Sequence, residues 1–268
     1  MFPAGQHFSR CRRQSAAACA HLFLAVLLFA APRLEADTGP DAIVREALAA
    51  ESRFDAKHAL ELFLEADHAR PQDPFILQKI SRQYSDLSED ITDVAEKRRL
   101  CTEALRYAER ATKLQPGNAV NVLSIAICHG KLALLSDNRG KVEHSRLMHD
   151  YAEQALALNP NNDYAHDILG RWNYEVASLG PAKRFLVRMV YGGLPAASTA
   201  EAVRQLRRAV ELAPEVPAHR VELGFALLAD GQRDAARQTF EQALAMPMHE
   251  KYDDRAFQRA REALKSLR

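Results

Sequence analysis

Small and apolar residues return along this chain at offsets of four, three and five positions, and each set closes on a proline. One set is Ala59, Phe63, Ala66 and Pro71. The next are Ala104, Ala108, Ala111, Pro116, then Met148, Ala152, Ala155, Pro160, then Ala202, Leu206, Ala209, Pro214. In the fifth, Ala236, Phe240, Ala243, Pro247, the proline arrives one residue early. Positions i, i+4 and i+7 share one face of a helix, so each set predicts a helix with a small-residue stripe. Alanines on that stripe let a second helix approach closely, and the larger residue fills the space between them. The proline ends the helix because it has no N–H and clashes with the preceding turn. Partner helices are expected upstream, and Leu169-Gly170 and Leu223-Gly224 mark two of them.

Gly224 precedes Ala236 by twelve residues, the separation found in tetratricopeptide repeats, whose signature this pattern resembles. The expected fold is all-α: a right-handed α–α superhelix of tetratricopeptide-like repeats with extended insertions. The repeats fall at about 40–73, 74–118, 119–162, 163–216 and 217–250, with a capping helix over 251–268. The closing prolines are 45, 44, 54 and 33 residues apart, where about 34 is usual. The surplus lies between first and second helices: Ser85 to Arg98, Ser136 to His144, and Leu179 to Thr199. The first two stretches read as lengthened helices. The cap carries its buried stripe at Ala256, Ala260, Ala263 and Leu264 and is otherwise rich in Arg and Lys, as a water-facing terminal unit should be.

The first 36 residues have a different character. Arg10, Arg12 and Arg13 precede an apolar run from Leu22 to Ala31, and Leu34-Glu35-Ala36 offers a cleavage site before Asp37. That order predicts a secretory signal peptide over 1–36. The expected location is exported, periplasmic or secreted, the periplasm if the source is bacterial. Membrane anchoring by an uncleaved N-terminal segment is the alternative. Removing 1–36 takes away four Arg and one Glu, leaving 32 basic and 34 acidic residues. A balance of that kind gives no electrostatic footprint for nucleic acid. Cys101 and Cys128 would remain, both inside helices, and are expected to act as small buried hydrophobes.

Motifs for chemistry are scarce. No Gly-rich phosphate loop, HExxH pair, GxSxG elbow or CxxC spacing occurs. His144 and His149 lie five apart on one helix, on different faces, and are expected to be solvated rather than metal ligands. His166 and Asp167 are adjacent and point apart. Asp137-Asn138-Arg139-Gly140 is turn chemistry without a calcium loop's closing Glu. No cofactor, metal or catalytic residue is expected, and the chain reads as non-enzymatic.

The segment from His166 to Leu179 contains Gly170-Arg171-Trp172-Asn173-Tyr174-Glu175-Val176-Ala177. A basic-apolar insertion with Tyr191-Gly192-Gly193 and Pro195 follows, then Ser198-Thr199 and a helix ending Glu211-Leu212-Ala213-Pro214. These features resemble the regulator of microtubule dynamics family, specifically over 163–216 and generally over 74–250. The resemblance implies a tetratricopeptide solenoid and a role as a binding scaffold. Eukaryotic members are described as microtubule-associated or as organelle tethers, some with lipid-binding ability. Gly170, Arg171, Trp172, Tyr174 and Glu175 are carried over as family signature positions, with Asn173 standing where the eukaryotic motif has Cys.

Repeat register places Arg82, Asp86, Lys131, Tyr164, Asp167, Arg171, Tyr174, Glu175 and Phe225 on the inner face of the superhelix. Both charge signs and two kinds of aromatic anchor suit a protein or peptide segment of mixed character in a concave groove. Arg171 and Glu175, four apart, are also placed to pair with each other. Gly170 is expected to allow close helix packing, and Trp172 to anchor the insertion against the solenoid. Two readings of the insertion remain open. Lys183, Arg184 and Arg188 alternate with Phe185, Leu186, Val187, Met189 and Val190, so residues 181–197 could rest on a lipid or membrane surface. The alternative packs that apolar face on the solenoid. A lipid-binding or membrane-tethering solenoid, with acyl chains against Val120, Leu123, Ile127 and Phe225, is the second functional expectation.

Overall fold

The computed structural model describes residues 39–251 and 253–267. The expected signal peptide lies outside the described residues. Twelve helices and no strand occur among the described residues: α1 (Pro40–Ser52), α2 (Ala56–Ala69), α3 (Pro74–Asp90), α4 (Val94–Leu114), α5 (Ala119–Leu134), α6 (Asn138–Leu158), α7 (Asp163–Ala177), α8 (Pro181–Tyr191), α9 (Thr199–Leu212), α10 (Pro217–Ala229), α11 (Arg233–Leu244) and α12 (Asp253–Ser266). Five antiparallel pairs follow one another: α1/α2, α3/α4, α5/α6, α7/α9 and α10/α11. The α–α superhelix expected from the repeats is the observed architecture, with α12 packed on α10 and α11.

The same short sequence devices start the helices. Asp55, Asp73, Asp93, Asn118, Asp137, Asn162 and Ser198 each accept from a backbone N–H of the first turn that would otherwise lack a partner. Pro40, Pro74, Pro181 and Pro217 occupy first-turn positions, where a missing N–H costs nothing. The repeat prolines Pro71, Pro116 and Pro160 fall just after α2, α4 and α6, two residues before the cap of the next helix. One short stretch therefore stops a second helix and starts the following first helix.

The recurring positions form the core. Every alanine, phenylalanine and leucine of the five sets is fully buried, and only Met148 is half-buried. The glycines of the first helices face the central members of those sets. A Cβ on Gly224 would lie 2.4 Å from Phe240 Cε1, one on Gly170 would lie 2.4 Å from Leu206 Cγ, and one on Gly130 would meet Met148 Sδ at 2.8 Å. First and second helices of a repeat thus touch at a glycine opposite a large residue. Cys101 and Cys128 are buried and unbonded. Burial raises the Cys128 thiol to about 12, the Ser81 hydroxyl partly offsetting it.

Repeats two and three lengthen their helices: α3 has 17 residues, and α4 and α6 have 21 each. Repeat four instead inserts a whole helix, α8, between its two members. The expected anchoring of this insertion by Trp172 is not what the structure shows. Trp172 is buried against α6, its Nε1–H donating to Ser145 O (3.1 Å) and Ser145 Oγ (3.0 Å), with the His149 ring 4.3 Å away. Asn173 does the tethering. Its Oδ1 accepts from Ser198 N–H (3.3 Å) at the start of α9, and its Nδ2 donates to Leu169 O (2.9 Å).

Candidate functional site

The first helices α3, α5, α7 and α10 bring the register-predicted residues to one face, where they meet each other and the chain's own C-terminal segment. Lys131 on α5 donates to Glu89 Oε1 (2.6 Å) and Ser85 O (2.8 Å) on α3. Arg171 and Glu175 make the i, i+4 pair at 2.8 Å, both about half exposed. Tyr174 OH donates to Glu222 Oε2 (2.7 Å) on α10. Glu222 is buried, and it also receives Arg259 Nη1 of α12 at 2.5 Å. Burial would raise this carboxyl's pKa, but the Arg171 and Arg259 charges and the bonds from Arg259 and Tyr174 hold it below the usual range. Phe225 packs edge-on against Phe240 (5.0 Å) and lies under the Arg259 guanidinium (4.5 Å).

Asp167 belongs to a buried charge cluster. His219 of α10 is almost fully buried, with Nδ1 3.0 Å from Asp167 Oδ1 and Nε2 2.9 Å from Asp163 Oδ2. Burial alone would lower the imidazole's pKa. The two carboxylates override it and raise the value to about 10, so the ring is a cation joining α7 to α10. The Tyr164 ring stands edge-on to it at 5.2 Å.

Residues 246–251 and α12 reach across this face to helices near the start of the chain. Tyr164 OH donates to Glu250 Oε1 (2.5 Å), and Arg82 Nη2 lies 3.9 Å from the same oxygen. Burial and the Glu250 carboxylate raise the Tyr164 phenol's pKa, which keeps it a donor. Lys251 Nζ donates to Asp90 Oδ2 (2.7 Å), and Arg255 donates to Glu89 Oε2 (2.7 Å) and Glu89 O (2.9 Å). Arg82 also sits 3.2 Å from Glu51 and 3.7 Å from Asp86. Burial raises the Asp86 carboxyl despite Arg82. The polar groups of these register-predicted residues are engaged within the chain, including the Arg171–Glu175 pair that their spacing predicts.

Register alone missed Glu222, His219, Glu250 and Arg259. Glu222 and His219 carry a sequence signal, since they sit among apolar residues on the buried helix α10. Glu250 and Arg259 carry none, because their partners are remote in sequence.

Two further expectations are corrected. Leu123 is buried among Ala126, Ala152, Ala165 and Leu169, with Ile127 packed on the same cluster, so these residues fill the core instead of lining an acyl-chain cavity. His144 is not a solvated side chain. Its Nδ1 is 3.0 Å from His129 Nδ1, and burial together with His144 lowers His129 to about 4, so this pair is neutral at pH 7.

The sequence profile of the regulator of microtubule dynamics protein 1-3 family matches residues 44–268. The chain belongs to this family. Regulator of microtubule dynamics protein 3 of Xenopus laevis is 30% identical over 138 residues, 52% of this chain and 30% of that protein. The Bos taurus protein 3 is 28% identical over 201 residues, 75% of this chain and 42% of that one. This family member therefore spans less than half the length of these curated relatives. In fold it is similar to a thermophilic tetratricopeptide-repeat protein of Thermus thermophilus, with TM-score 0.61, 20% identity, and coverage of 85% of this chain and 100% of that one.

Proposed function

We propose that this family member is a non-catalytic docking scaffold that binds a protein segment along the face formed by α3, α5, α7 and α10. One observation carries the reading: that face already holds a loop of the chain itself, residues 246–251, with Glu250 on Tyr164 and Arg82 and Lys251 on Asp90. A surface that binds its own chain through a carboxylate and a base is suited to a partner segment of mixed charge. Repeat solenoids present such extended surfaces as a consequence of their stacking. Binding would displace 246–251, so the self-contact would also set a threshold for the partner.

Site-specific photo-crosslinking tests this. A crosslinking residue is placed at Arg82, Lys131 or Arg171 on the inner face, or at Arg106 or Glu153 on second helices. Capture of one partner from the inner positions, stronger in Glu250→Ala, is expected. A partner captured only from the second helices overturns the assignment. Export is a separate part of the proposal and rests on the basic-then-apolar N-terminus. A mature protein beginning at Asp37 is the expected result of N-terminal sequencing.

A further inference from the structure

The inserted helix α8 turns its apolar side to solvent. Phe185, Leu186 and Val190 are 57% exposed and Met189 is 67% exposed. They recur at i, i+1, i+4 and i+5 and so form one stripe. No residue of α8 is buried, contrary to the expectation that its apolar face packs on the solenoid. α7 and α9 pack directly on each other, and the helix between them loops out to touch α6. A contiguous apolar patch of this kind marks an interaction site.

The stripe is held in a set orientation. Gly192, at φ +79°, ends α8 in the left-handed conformation, and Gly193 N–H donates to Val187 O (3.2 Å). Arg146 of α6 donates to Tyr191 O (3.0 Å) and Gly193 O (2.7 Å). Arg184 donates to the carbonyls of Leu179 and Ala177. Phe185, at one edge of the stripe, also borders a cavity of about 350 Å³ lined by Val176, Leu179, Leu194 and Pro195.

Charge decides what covers the stripe. Lys183, Arg184 and Arg188 flank it, and no Asp or Glu occurs between Glu175 and Glu201. A second copy of the chain placed on this face would set these cations against one another. We propose that α8 lies on the surface of an anionic lipid bilayer. Phe185, Leu186, Met189 and Val190 enter the acyl boundary, while Lys183 and Arg188 meet lipid phosphates. At about 16 Å the helix lies in the interface and does not cross the bilayer. Among the described residues no helix is long and apolar enough to cross a membrane. This docking is independent of what the inner face holds.

The test uses the full chain carrying Met189→Trp and vesicles of phosphatidylglycerol and phosphatidylcholine with brominated acyl chains. Trp172 is buried and supplies a constant background, so quenching reports contact at α8 and not at the N-terminus. Quenching by anionic vesicles and its loss with phosphatidylcholine alone are expected. Adding Lys183→Ala with Arg188→Ala should weaken binding roughly thirtyfold, with thermal unfolding unchanged because neither residue is buried. Absence of quenching, or quenching indifferent to the two cations, overturns the proposal. Lipid-free association of the chain that Phe185→Ser with Met189→Ser disperses would also overturn it, in favour of a second copy.

Discussion

Replacing His219 with Gln should cost several kcal/mol at neutral pH, and the cost should fade as pH rises. The imidazolium lies between Asp163 and Asp167 with its ring almost wholly buried, and its pKa rises from 6.5 to about 10. A folded-state pKa above the unfolded value means the native state binds the extra proton. The stabilisation is therefore complete below pH 6.5 and is lost as pH climbs through about 10. At 1.36 kcal/mol per pH unit, the charge contributes about 4 kcal/mol at pH 7 and only about 1 kcal/mol at pH 9. Glutamine can donate to one carboxylate but carries no charge, so Asp163 and Asp167 would repel each other one helical turn apart. Urea unfolding of wild type and His219→Gln at pH 7 and pH 9 measures the effect. The difference between the two proteins should shrink by roughly 2–3 kcal/mol across that interval. A difference that stays constant with pH, or an NMR titration of His219 near pH 6.5, would refute the reasoning.

The remaining predictions concern packing and the inner face. Gly170→Ala and Gly224→Ala each push a methyl within 2.4 Å of Leu206 or Phe240, and each should lower stability by about 1–3 kcal/mol in urea. Tyr174→Phe removes a donor to buried Glu222 and should cost about 1–3 kcal/mol; Arg171→Lys, at an exposed pair, should cost under about 1 kcal/mol. Glu250→Ala removes the contacts to Tyr164 and Arg82. Hydrogen exchange should then speed up over 246–251, while α9 and α10, which keep their own packing, exchange as before.

Much of the fold was legible because each repeat carries its own instructions. Ala202, Leu206 and Ala209 mark a helix face whatever surrounds them, and Pro214 ends that helix through its own ring. Gly170 and Gly224 announced close approaches, and the structure supplies the atoms they avoid, Leu206 and Phe240. The inner-face residues were also legible, since helical register brings Tyr164, Asp167, Arg171 and Tyr174 to one side of α7. Their partners were not. His219 and Glu222 meet them from α10, some fifty residues on, through contacts that local register does not encode. The alternation of cations and apolar residues in α8 was visible, but that the stripe stays uncovered is seen only in the packing of the neighbouring helices.

Sequence by itself determined the helices, their caps, the small-residue stripes that pair them, and the repetition that stacks the pairs. These properties act over one to a few helical turns, within reach of local steric and hydrogen-bonding rules. Tertiary structure alone decided that Glu250 and Arg255 return to Arg82 and Glu89 and that α8 stays uncovered. Both outcomes depend on the orientation of each helix pair against the next. That orientation comes from side-chain packing at every interface, and a small rotation per repeat accumulates along the solenoid. It is this sum over the stacked pairs that sets Lys251 beside Asp90, 161 residues apart.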